Sequence, residues 1–380
     1  MKETIYLDHA ATTPMAPEVI DVMTQALNEN YGNASSIHQL GKKNRVLIDY
    51  ARQTMAKSIG AAAKEIIITS GGTESDNAAI LKTAEHFENR GKHIITTNVE
   101  HPAVLNPMKY LESQGFEVTY LPVDDHGKIT VEQVKEAIRP DTILISVMYG
   151  NNEVGSIMPI QKIGEYLKGI DQEIIFHTDA VQAYGTIALN VEALNVDLLS
   201  VSAHKMNGPK GIGFLYAREG LNIPSLLLGG AQENGHRAGT ENVPAILAFE
   251  KAIKIHQENQ KEYYDHLLNI KKTFIQGLDE AEVDYSINGE VENALPHVLS
   301  LCLPAIRSDM LLIQMDLEGV AVSAGSACSA GTIEPSHVLT AMFGEEANEI
   351  DHTIRFSFGV GTSVEEIERT VEVLQKLIKK

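Results

Sequence analysis

Short apolar runs, rich in β-branched residues, alternate with amphipathic stretches through the first half of the chain. Each run has the length of a buried strand, and the stretches between them have helical periodicity. Near-continuous apolar strands separated by helices are typical of a parallel sheet that is covered on both faces. The pattern therefore predicts an α/β fold with a mainly parallel sheet. Its strands are expected at residues 65–69, 93–97, 116–121, 142–148, 173–178, 197–202 and 213–217.

The pattern changes after about residue 245. A long helix with many Lys, Glu and Gln residues is predicted over residues 245–278, and strands are predicted at residues 298–301 and 353–357. A final amphipathic helix is predicted after Ser363, because a serine cap followed by acidic residues is typical of a helix start. These elements indicate a second, smaller α+β unit.

We accordingly predict two domains. The large cofactor-binding α/β domain is expected to span residues 15–258. The small α+β domain is expected to combine residues 1–14 with residues 259–380, and it would carry Cys328 and Arg355.

The amino-acid composition limits the kinds of partner that the protein is expected to bind. Lys and Arg number 31 against 51 Asp and Glu, which gives a formal net charge of −20. Such a surface repels phosphate backbones, so direct binding of nucleic acid is not expected. No apolar run reaches the roughly 18 residues of a membrane span. The N-terminus has no basic-then-apolar export pattern, so a cytoplasmic protein without membrane contact is expected.

The two cysteines, Cys302 and Cys328, lie far apart and form no Cys-x-x-Cys motif. Neither a zinc site nor a disulfide framework is indicated. Cys302 belongs to an alternating apolar run and is expected in the core. Cys328 lies in residues 323–332, where small residues predominate. That composition predicts a mobile loop with an exposed thiol, whereas a free cysteine elsewhere is most often a small buried residue.

Residues that could bind a ligand follow five of the predicted strands. In open parallel sheets, ligands bind beyond the carboxyl ends of the strands. Each candidate also has an ordinary structural explanation, as a glycine turn, a helix cap, a polar turn or a solvated surface residue. The candidates are the turn Ser70-Gly71-Gly72-Thr73, His101, Asn152, the pair Asp179 and Gln182, and Lys205.

Together these residues form the set that a pyridoxal 5'-phosphate site needs. A lysine forms an imine with the cofactor, and an acid keeps the pyridine nitrogen protonated so that the ring accepts electrons. Hydroxyl groups and helix N-termini hold the phosphate, and an imidazole can stack on the ring. The convergence of the five strand ends therefore predicts pyridoxal phosphate as the cofactor.

Six segments also carry motifs in a characteristic order: residues 6–14, 32–38, 69–77, 202–205, 236–240 and 323–328. In these motifs the whole chain resembles the cysteine desulfurases, the NifS/IscS-like members of the class V aminotransferase group. The resemblance implies the fold-type I architecture of pyridoxal-phosphate transferases and the conversion of L-cysteine to L-alanine. A selenocysteine lyase or a class V aminotransferase would share the cofactor site. A cofactor-bearing regulatory scaffold is the non-enzymatic alternative.

The resemblance implies how the cofactor ring would be held. Lys205 would bind the cofactor covalently, and His101 would stack on the ring and handle protons. Asp179 would face the pyridinium nitrogen, and Gln182 would face the ring hydroxyl. Asn152 would contact both cofactor and substrate.

The same resemblance implies a phosphate site made by two subunits. Residues of one chain would supply most of it, and a residue from the neighbouring subunit would complete it, so the active enzyme is expected to be a homodimer. The residues of the first set are Gly72, Thr73, Ser202 and His204, and the residue from the neighbour is Thr240.

Substrate and sulfur would be handled by Arg355 and Cys328. The Arg355 guanidinium would pair with the carboxylate of L-cysteine. Cys328 would receive the sulfur as a persulfide, and its loop resembles that of the long-loop group, which passes sulfur to separate proteins. The acceptor would be an iron–sulfur scaffold or a tRNA-thiolating enzyme. Apart from a transient role of Cys328 as an iron–sulfur ligand, no metal site is expected.

Overall fold

A computed structural model describes residues 4–325 and 335–379 of the chain. The strands are β1 Ile5–Tyr6, β2 Ile66–Thr69, β3 His93–Thr97, β4 Glu117–Leu121, β5 Thr142–Ser146, β6 Ile175–Asp179, β7 Leu198–Ser202, β8 Gly213–Ala217, β9 Ser286–Asn288, β10 Val298–Cys302, β11 Val320–Ala321 and β12 Thr353–Ser357. The helices are α1 Pro17–Glu29, α2 Gln39–Ser58, α3 Gly72–Phe87, α4 Pro102–Ser113, α5 Val131–Ala137, α6 Ile160–Lys168, α7 Val191–Leu194, α8 Val243–Glu280, α9 Ser308–Leu317, α10 His337–Phe343, α11 Asn348–His352 and α12 Val364–Ile378.

Seven strands form the central sheet in the order β2-β8-β7-β6-β5-β3-β4. The neighbours from β7 to β4 are parallel, and β8 runs antiparallel between β7 and β2. The predicted mainly parallel sheet is therefore confirmed. Because β2 has the same direction as the parallel strands, the carboxyl ends of six strands meet at one edge.

The central sheet is buried on both faces, which explains its continuous apolar runs. Successive side chains on a strand point to opposite faces. Leu144 packs in a cluster with residues of α3 and α4, whereas the next residue, Ile145, packs with residues of α2, α6 and α8. Every residue of β5 and β6 is buried. Both faces of the sheet therefore exclude water, and the carboxyl edge of the sheet remains available for a functional site.

Two smaller sheets lie in the other part of the chain. Strands β9, β10 and β12 form an antiparallel sheet, and β1 pairs in parallel with β11. Leu7 packs in their core with Phe356 and Phe358. The chain then reaches the edge of the central sheet, where the backbone N–H of Thr13 donates to the carbonyl of His204 at 2.9 Å. The N-terminal segment thus connects the small sheets to the central one.

Helix α8 makes a second connection. Phe249, in its first half, packs in the core of the central sheet, and Phe274, in its last part, packs in the core of the small sheets. One uninterrupted helix thus crosses the predicted domain limit at residue 258. The division into residues 15–258 and residues 259–380 with 1–14 stays a prediction.

Two local predictions are confirmed. The Ser363 hydroxyl accepts the N–H of Glu366, and the Glu366 carboxylate accepts the N–H of Ser363, so α12 begins with a capping box. Cys302 is the last residue of β10 and is buried. Among the described residues, no helix is long and apolar enough to cross a membrane.

Lys271 gives the small-sheet core a pH-dependent stability. Its side chain is 1% exposed, and its Nζ donates to the Leu295 carbonyl at 3.0 Å. Burial lowers the pKa of Lys271 to about 8. An unfolded lysine has a pKa near 10.4, so between about pH 8 and pH 10 the unfolded chain binds more protons than the folded one. The free energy of unfolding should therefore rise with pH in this window.

We expect the unfolding free energy of Lys271→Met not to rise with pH in this window. Relative to the variant, the wild type should gain up to about 3 kcal/mol of unfolding free energy as the pH goes from neutral to alkaline. Urea unfolding at a series of pH values measures the difference. The exposed neighbour Lys272 provides the control, since Lys272→Met should leave the pH dependence unchanged. A pH-independent difference between wild type and Lys271→Met would contradict the prediction.

Candidate active site

A cavity of about 870 Å³ opens at the carboxyl edge of the central sheet. Its walls come from the ends of β2, β3, β5, β6 and β7, from the N-terminal segment and from β12. The fold therefore brings together ten residues that the sequence predicts for the site. They are Gly72, Thr73, His101, Asn152, Asp179, Gln182, Ser202, His204, Lys205 and Arg355.

Lys205 lies in a short 3-10 turn directly after β7. Its Nζ donates to the carbonyl of Ala10 at 2.5 Å and to the carbonyl of Ala11 at 2.8 Å. Burial, and after it the charge of Arg355, lower the pKa of Lys205 to about 8. At neutral pH a larger share of this amine is neutral than for an exposed lysine, and the neutral amine is the nucleophile.

Asp179, the last residue of β6, shares a buried acidic pocket with Asp76 of α3. One Asp179 oxygen accepts the N–H of Val181 at 2.9 Å, which is the turn-capping contact that sequence reasoning offers as its ordinary function. Burial raises the pKa of Asp179 to about 6. Asp76 is 1% exposed, and burial and the charge of Asp179 raise its pKa well above its usual value. Two acids so close together favour a cation beside them, such as a protonated ring nitrogen.

His101 immediately precedes α4, and its tautomer follows from one contact. Its Nδ1 accepts the backbone N–H of Ala103 at 3.1 Å, so the neutral ring carries its proton on Nε2. Burial, followed by the charges of Lys205 and His337, lowers the pKa of His101 to about 4. The ring is therefore a neutral N–H donor at physiological pH.

Gln182 has a fixed amide orientation. Its Nε2 donates to the carbonyl of Ala10 at 3.0 Å, and its Oε1 lies 3.2 Å from His297 Nε2. Burial lowers the pKa of His297 to about 3, so the neutral ring donates to Oε1. The contact of Gln182 with the ring hydroxyl of a cofactor stays a prediction.

Hydrogen-bond donors for an anion gather at one corner of the cavity. Helix α3 begins at Gly72, and the first N–H groups of a helix have no carbonyl partner within it. Gly71 has a φ of +145°, and a Cβ atom there would lie 3.6 Å from the Ser202 hydroxyl. His204 Nδ1 lies 3.1 Å from the Thr12 hydroxyl, which fixes its ring. This corner fits a phosphate group.

Arg355 closes the cavity from the small sheet. The guanidinium is 3% exposed, and its Nη2 donates to Asp8 at 2.8 Å while Nη1 donates to the carbonyl of Asn152 at 2.9 Å. Its buried Nε has no hydrogen-bond partner among the described residues. A guanidinium held in a cavity wall is suited to a carboxylate ligand.

Two predicted site residues are not placed in this cavity. Thr240 is exposed and does not line it. Its expected target is in a partner subunit, so its function stays a prediction. Cys328 lies outside the described residues. The described residues on either side of it, Gly325 and Pro335, both line the cavity.

Four ionisable residues of the cavity received no function from the sequence: Asp8, Asp76, Glu153 and His337. Glu153 is buried, and its carboxylate accepts a hydrogen bond from Ser336 at 2.5 Å. Burial raises the pKa of Glu153. Asp8 is part of the motif at residues 6–14 and could have been singled out there. Asp76 likewise lies in the motif at residues 69–77. Glu153 and His337 have no periodic or spacing signal.

The pKa of Lys205 predicts how fast the site takes up an aldehyde cofactor. Only the neutral amine attacks a carbonyl, so the rate of pyridoxal phosphate binding to cofactor-free protein should rise about tenfold per pH unit below pH 7 and level off above about pH 8. Stopped-flow absorbance measures this rate. Lys205→Ala should form no covalent adduct at any pH. A wild-type rate that still rises tenfold per unit above pH 9 would contradict a lowered pKa.

Comparison with known proteins agrees with this geometry. Residues 5–370 match the aminotransferase class-V family. The chain is 50% identical over 378 residues to the putative cysteine desulfurase IscS 1 of Bacillus subtilis, covering 100% of this chain and 99% of the relative. It is 48% identical over 381 residues to the cysteine desulfurase IscS of Dictyoglomus turgidum, covering 100% of this chain and 96% of the relative.

Solved structures show the same fold. A NifS-like protein superposes with a TM-score of 0.92 at 37% identity and covers 99% of both chains. A structure described as SspA in complex with cysteine superposes with a TM-score of 0.82 at 36% identity, over 94% of this chain and 99% of that one. The chain therefore belongs to the class-V aminotransferase family and, within it, to the cysteine desulfurases related to NifS and IscS.

Proposed function

We propose that the protein is a pyridoxal-phosphate-dependent cysteine desulfurase, which converts L-cysteine to L-alanine and takes the sulfur onto Cys328 as a persulfide. The observation that carries the proposal is the single cavity in which Lys205, Asp179, His101 and Arg355 converge. Two relatives named cysteine desulfurase, 50% and 48% identical to the whole chain, support it.

The described residues fit pyridoxal phosphate. When bound, this cofactor supplies an electron sink for negative charge at the substrate α-carbon. Lys205 would bind it covalently, and the acidic pocket of Asp179 and Asp76 would keep its ring nitrogen protonated. The donors around the start of α3 would hold its phosphate. They belong to Gly72, Thr73, Ser202 and His204.

Arg355 would hold the substrate by its carboxylate, and Asn152 would help to orient it. Asp8 and the Asn152 carbonyl already fix the plane of the guanidinium through its two terminal nitrogens. The guanidinium is therefore held in one orientation in the cavity wall. A structural relative whose description includes cysteine supports cysteine as the substrate.

Three side chains of this protein would move protons and sulfur. The Lys205 amine would accept the substrate α-proton, because its lowered pKa leaves part of it neutral at physiological pH. His101 would donate a hydrogen bond from its neutral Nε2–H to the reacting groups. The Cys328 thiolate would attack the substrate sulfur, so that an S–S bond forms as the C–S bond breaks. The three-carbon remainder would take up one proton at its β-carbon and regain one at its α-carbon, and it would leave as alanine.

The reach of Cys328 supports its assignment as sulfur acceptor. Gly325 lines the cavity and precedes Cys328 by three residues. A chain of this length spans at most about 11 Å between Cα atoms, so the thiol can reach the substrate. Cys302, by contrast, is buried in β10 and does not line the cavity.

A homodimer is part of the proposal, because Thr240 is expected to complete the phosphate site of a neighbouring subunit. An exposed apolar surface on α1, α2 and the segment between them supports it. Tyr31 is 74% exposed and Ile37 is 90% exposed, and Leu27 and Val46 are exposed beside them. Apolar surfaces of this kind mark protein contacts.

The persulfide would pass to another protein in the cytoplasm. The net charge of −20 disfavours direct contact with RNA, so sulfur for tRNA would travel through a tRNA-thiolating enzyme. An iron–sulfur scaffold protein is the other acceptor consistent with the family. Sulfide and alanine assays with cysteine, selenocysteine and a keto acid separate the desulfurase from a selenocysteine lyase and an aminotransferase.

Cys328→Ser tests the sulfur-transfer step. The variant should bind pyridoxal phosphate and cysteine as tightly as the wild type, because Cys328 is not part of either binding site. Its steady-state formation of alanine should fall by at least about a thousandfold, since the nucleophile is lost. Cys302→Ala is the matched control and should retain wild-type activity. Sustained alanine formation by Cys328→Ser in the presence of a thiol reductant would overturn the assignment.

Arg355→Lys tests the carboxylate site. A lysine keeps the charge beside Asp8 but loses the fork of donors, so kcat/KM for cysteine should fall by about tenfold or more. The control is Arg307→Lys, because Arg307 pairs with Asp309 and Asp351 on the surface, away from the cavity. An unchanged kcat/KM for Arg355→Lys would show that the guanidinium does not bind the substrate.

A further inference from the structure

Glu74 and Arg237 form a two-pronged ion pair beside the cavity. The Nε of Arg237 lies 2.9 Å from one Glu74 oxygen, and its Nη2 lies 3.2 Å from the other. Solvent reaches 10% of the Glu74 side chain and 25% of the Arg237 side chain. A bidentate pair that is partly shielded from water is stronger than an ordinary surface ion pair.

Glu74 belongs to the turn that is expected to bind the cofactor phosphate. Gly72 and Thr73 line the cavity, whereas Glu74, the next residue, does not. The Glu74 carboxylate accepts the backbone N–H of Ser70 at 2.8 Å and so closes the turn on the side away from the cavity. Arg237 therefore fixes the phosphate turn without touching the phosphate position.

Arg237 also lies three residues before Thr240, in a segment held at a second point. Both oxygens of Glu233 accept hydrogen bonds from the Arg52 guanidinium, at 2.5 and 2.7 Å, and one of them also accepts the N–H of Ile68 at 2.8 Å. Glu233 has a φ of +49°, which is uncommon for a residue with a side chain. The segment is thus tied to β2 and α3 of its own chain, while Thr240 is exposed.

We propose that the Glu74–Arg237 ion pair couples the phosphate turn of one subunit to Thr240, the residue that completes the phosphate site of the partner subunit. This inference rests on the proposed cofactor and homodimer. In this scheme, phosphate binding to one chain holds the turn in place, and the ion pair then holds the segment that contains Thr240. The phosphate site of the partner subunit, which Thr240 completes, thereby gains affinity. Glu74 and Arg237 are positioning residues, since both act through other groups.

Arg237→Gln tests the proposal with two ligands that differ only in the phosphate. Binding of pyridoxal phosphate and of pyridoxal to cofactor-free protein is followed by the absorbance of the lysine adduct. The variant should bind pyridoxal phosphate about tenfold more weakly, and pyridoxal less than about twofold more weakly, because only the phosphate site is disturbed. Equal losses for both ligands would indicate a merely structural function and would overturn the proposal.

Two further variants make the test independent of folding defects. Arg218→Gln removes an ion pair with Asp197, whose Oδ1 lies 2.6 Å from the Arg218 Nε, at the opposite edge of the central sheet. It should leave both affinities unchanged. Glu74→Gln keeps an acceptor for Ser70 and should reproduce the selective loss even if Arg237→Gln fails to fold. If the wild type forms no adduct, the proposed cofactor is wrong. If the wild type forms the adduct and the variants bind both ligands with wild-type affinity, only the proposed coupling is wrong.

Thr240→Ala, alone and combined with Arg237→Gln, tests the path between the subunits. If Arg237 acts through Thr240, the loss of pyridoxal phosphate affinity in the double variant should be smaller than the product of the two single losses. If the loss in the double variant equals that product, Arg237 acts only on the phosphate turn of its own chain, and the proposed coupling is wrong.

Discussion

The contact between the Lys205 amine and the carbonyls of Ala10 and Ala11 is the interaction on which the rest of the site depends. It joins the turn after β7 to the N-terminal segment, which is itself bonded to the small sheet, where the N–H of Ser357 donates to the carbonyl of Leu7 at 2.8 Å. Carbonyl oxygens accept the protons of the amine but bring no full negative charge. The amine is therefore anchored in a buried place while its pKa stays low.

The same stretch of backbone sets the position of the substrate. Asp8 precedes Ala10 by two residues and holds the Arg355 guanidinium at 2.8 Å. The amine that binds the cofactor and the guanidinium expected to bind the substrate carboxylate are thus both fixed by one short segment between two sheets. Such fixing of reacting groups before the substrate arrives reduces the entropy lost in reaching the transition state.

Some residues of the site could be predicted from the sequence around them, whereas others reach the site through contacts between distant segments. Lys205, Asp179 and His101 could be predicted, because each follows an apolar strand and parallel strands bring their carboxyl ends to one edge. Asp8 belongs to the motif at residues 6–14, but the hydrophobic pattern gives it no function, because it reaches the site only through the pairing of β1 with β11 and the contact with β12. Asp76 lies on a helix and gives no sign in the sequence that its side chain is buried beside Asp179.

The hydrophobic pattern also left two helices and the functions of two residues unpredicted. The helices α1 and α2 were not predicted; both precede β2, where the alternation of strands and helices begins. The functions of Thr240 and Cys328 rest on resemblance, because one depends on a second subunit and the other on a loop outside the described residues.

A single-turnover experiment tests the central claim that sulfur leaves cysteine onto Cys328. The wild-type protein with bound cofactor is mixed with one molecule of cysteine per chain and no other thiol, and alanine and the mass of each cysteine-containing peptide are measured together. The account predicts a burst of one alanine per chain and a gain of one sulfur atom on the peptide that contains Cys328. Alanine formed in a burst without added sulfur on that peptide, or with the sulfur on Cys302, would contradict it.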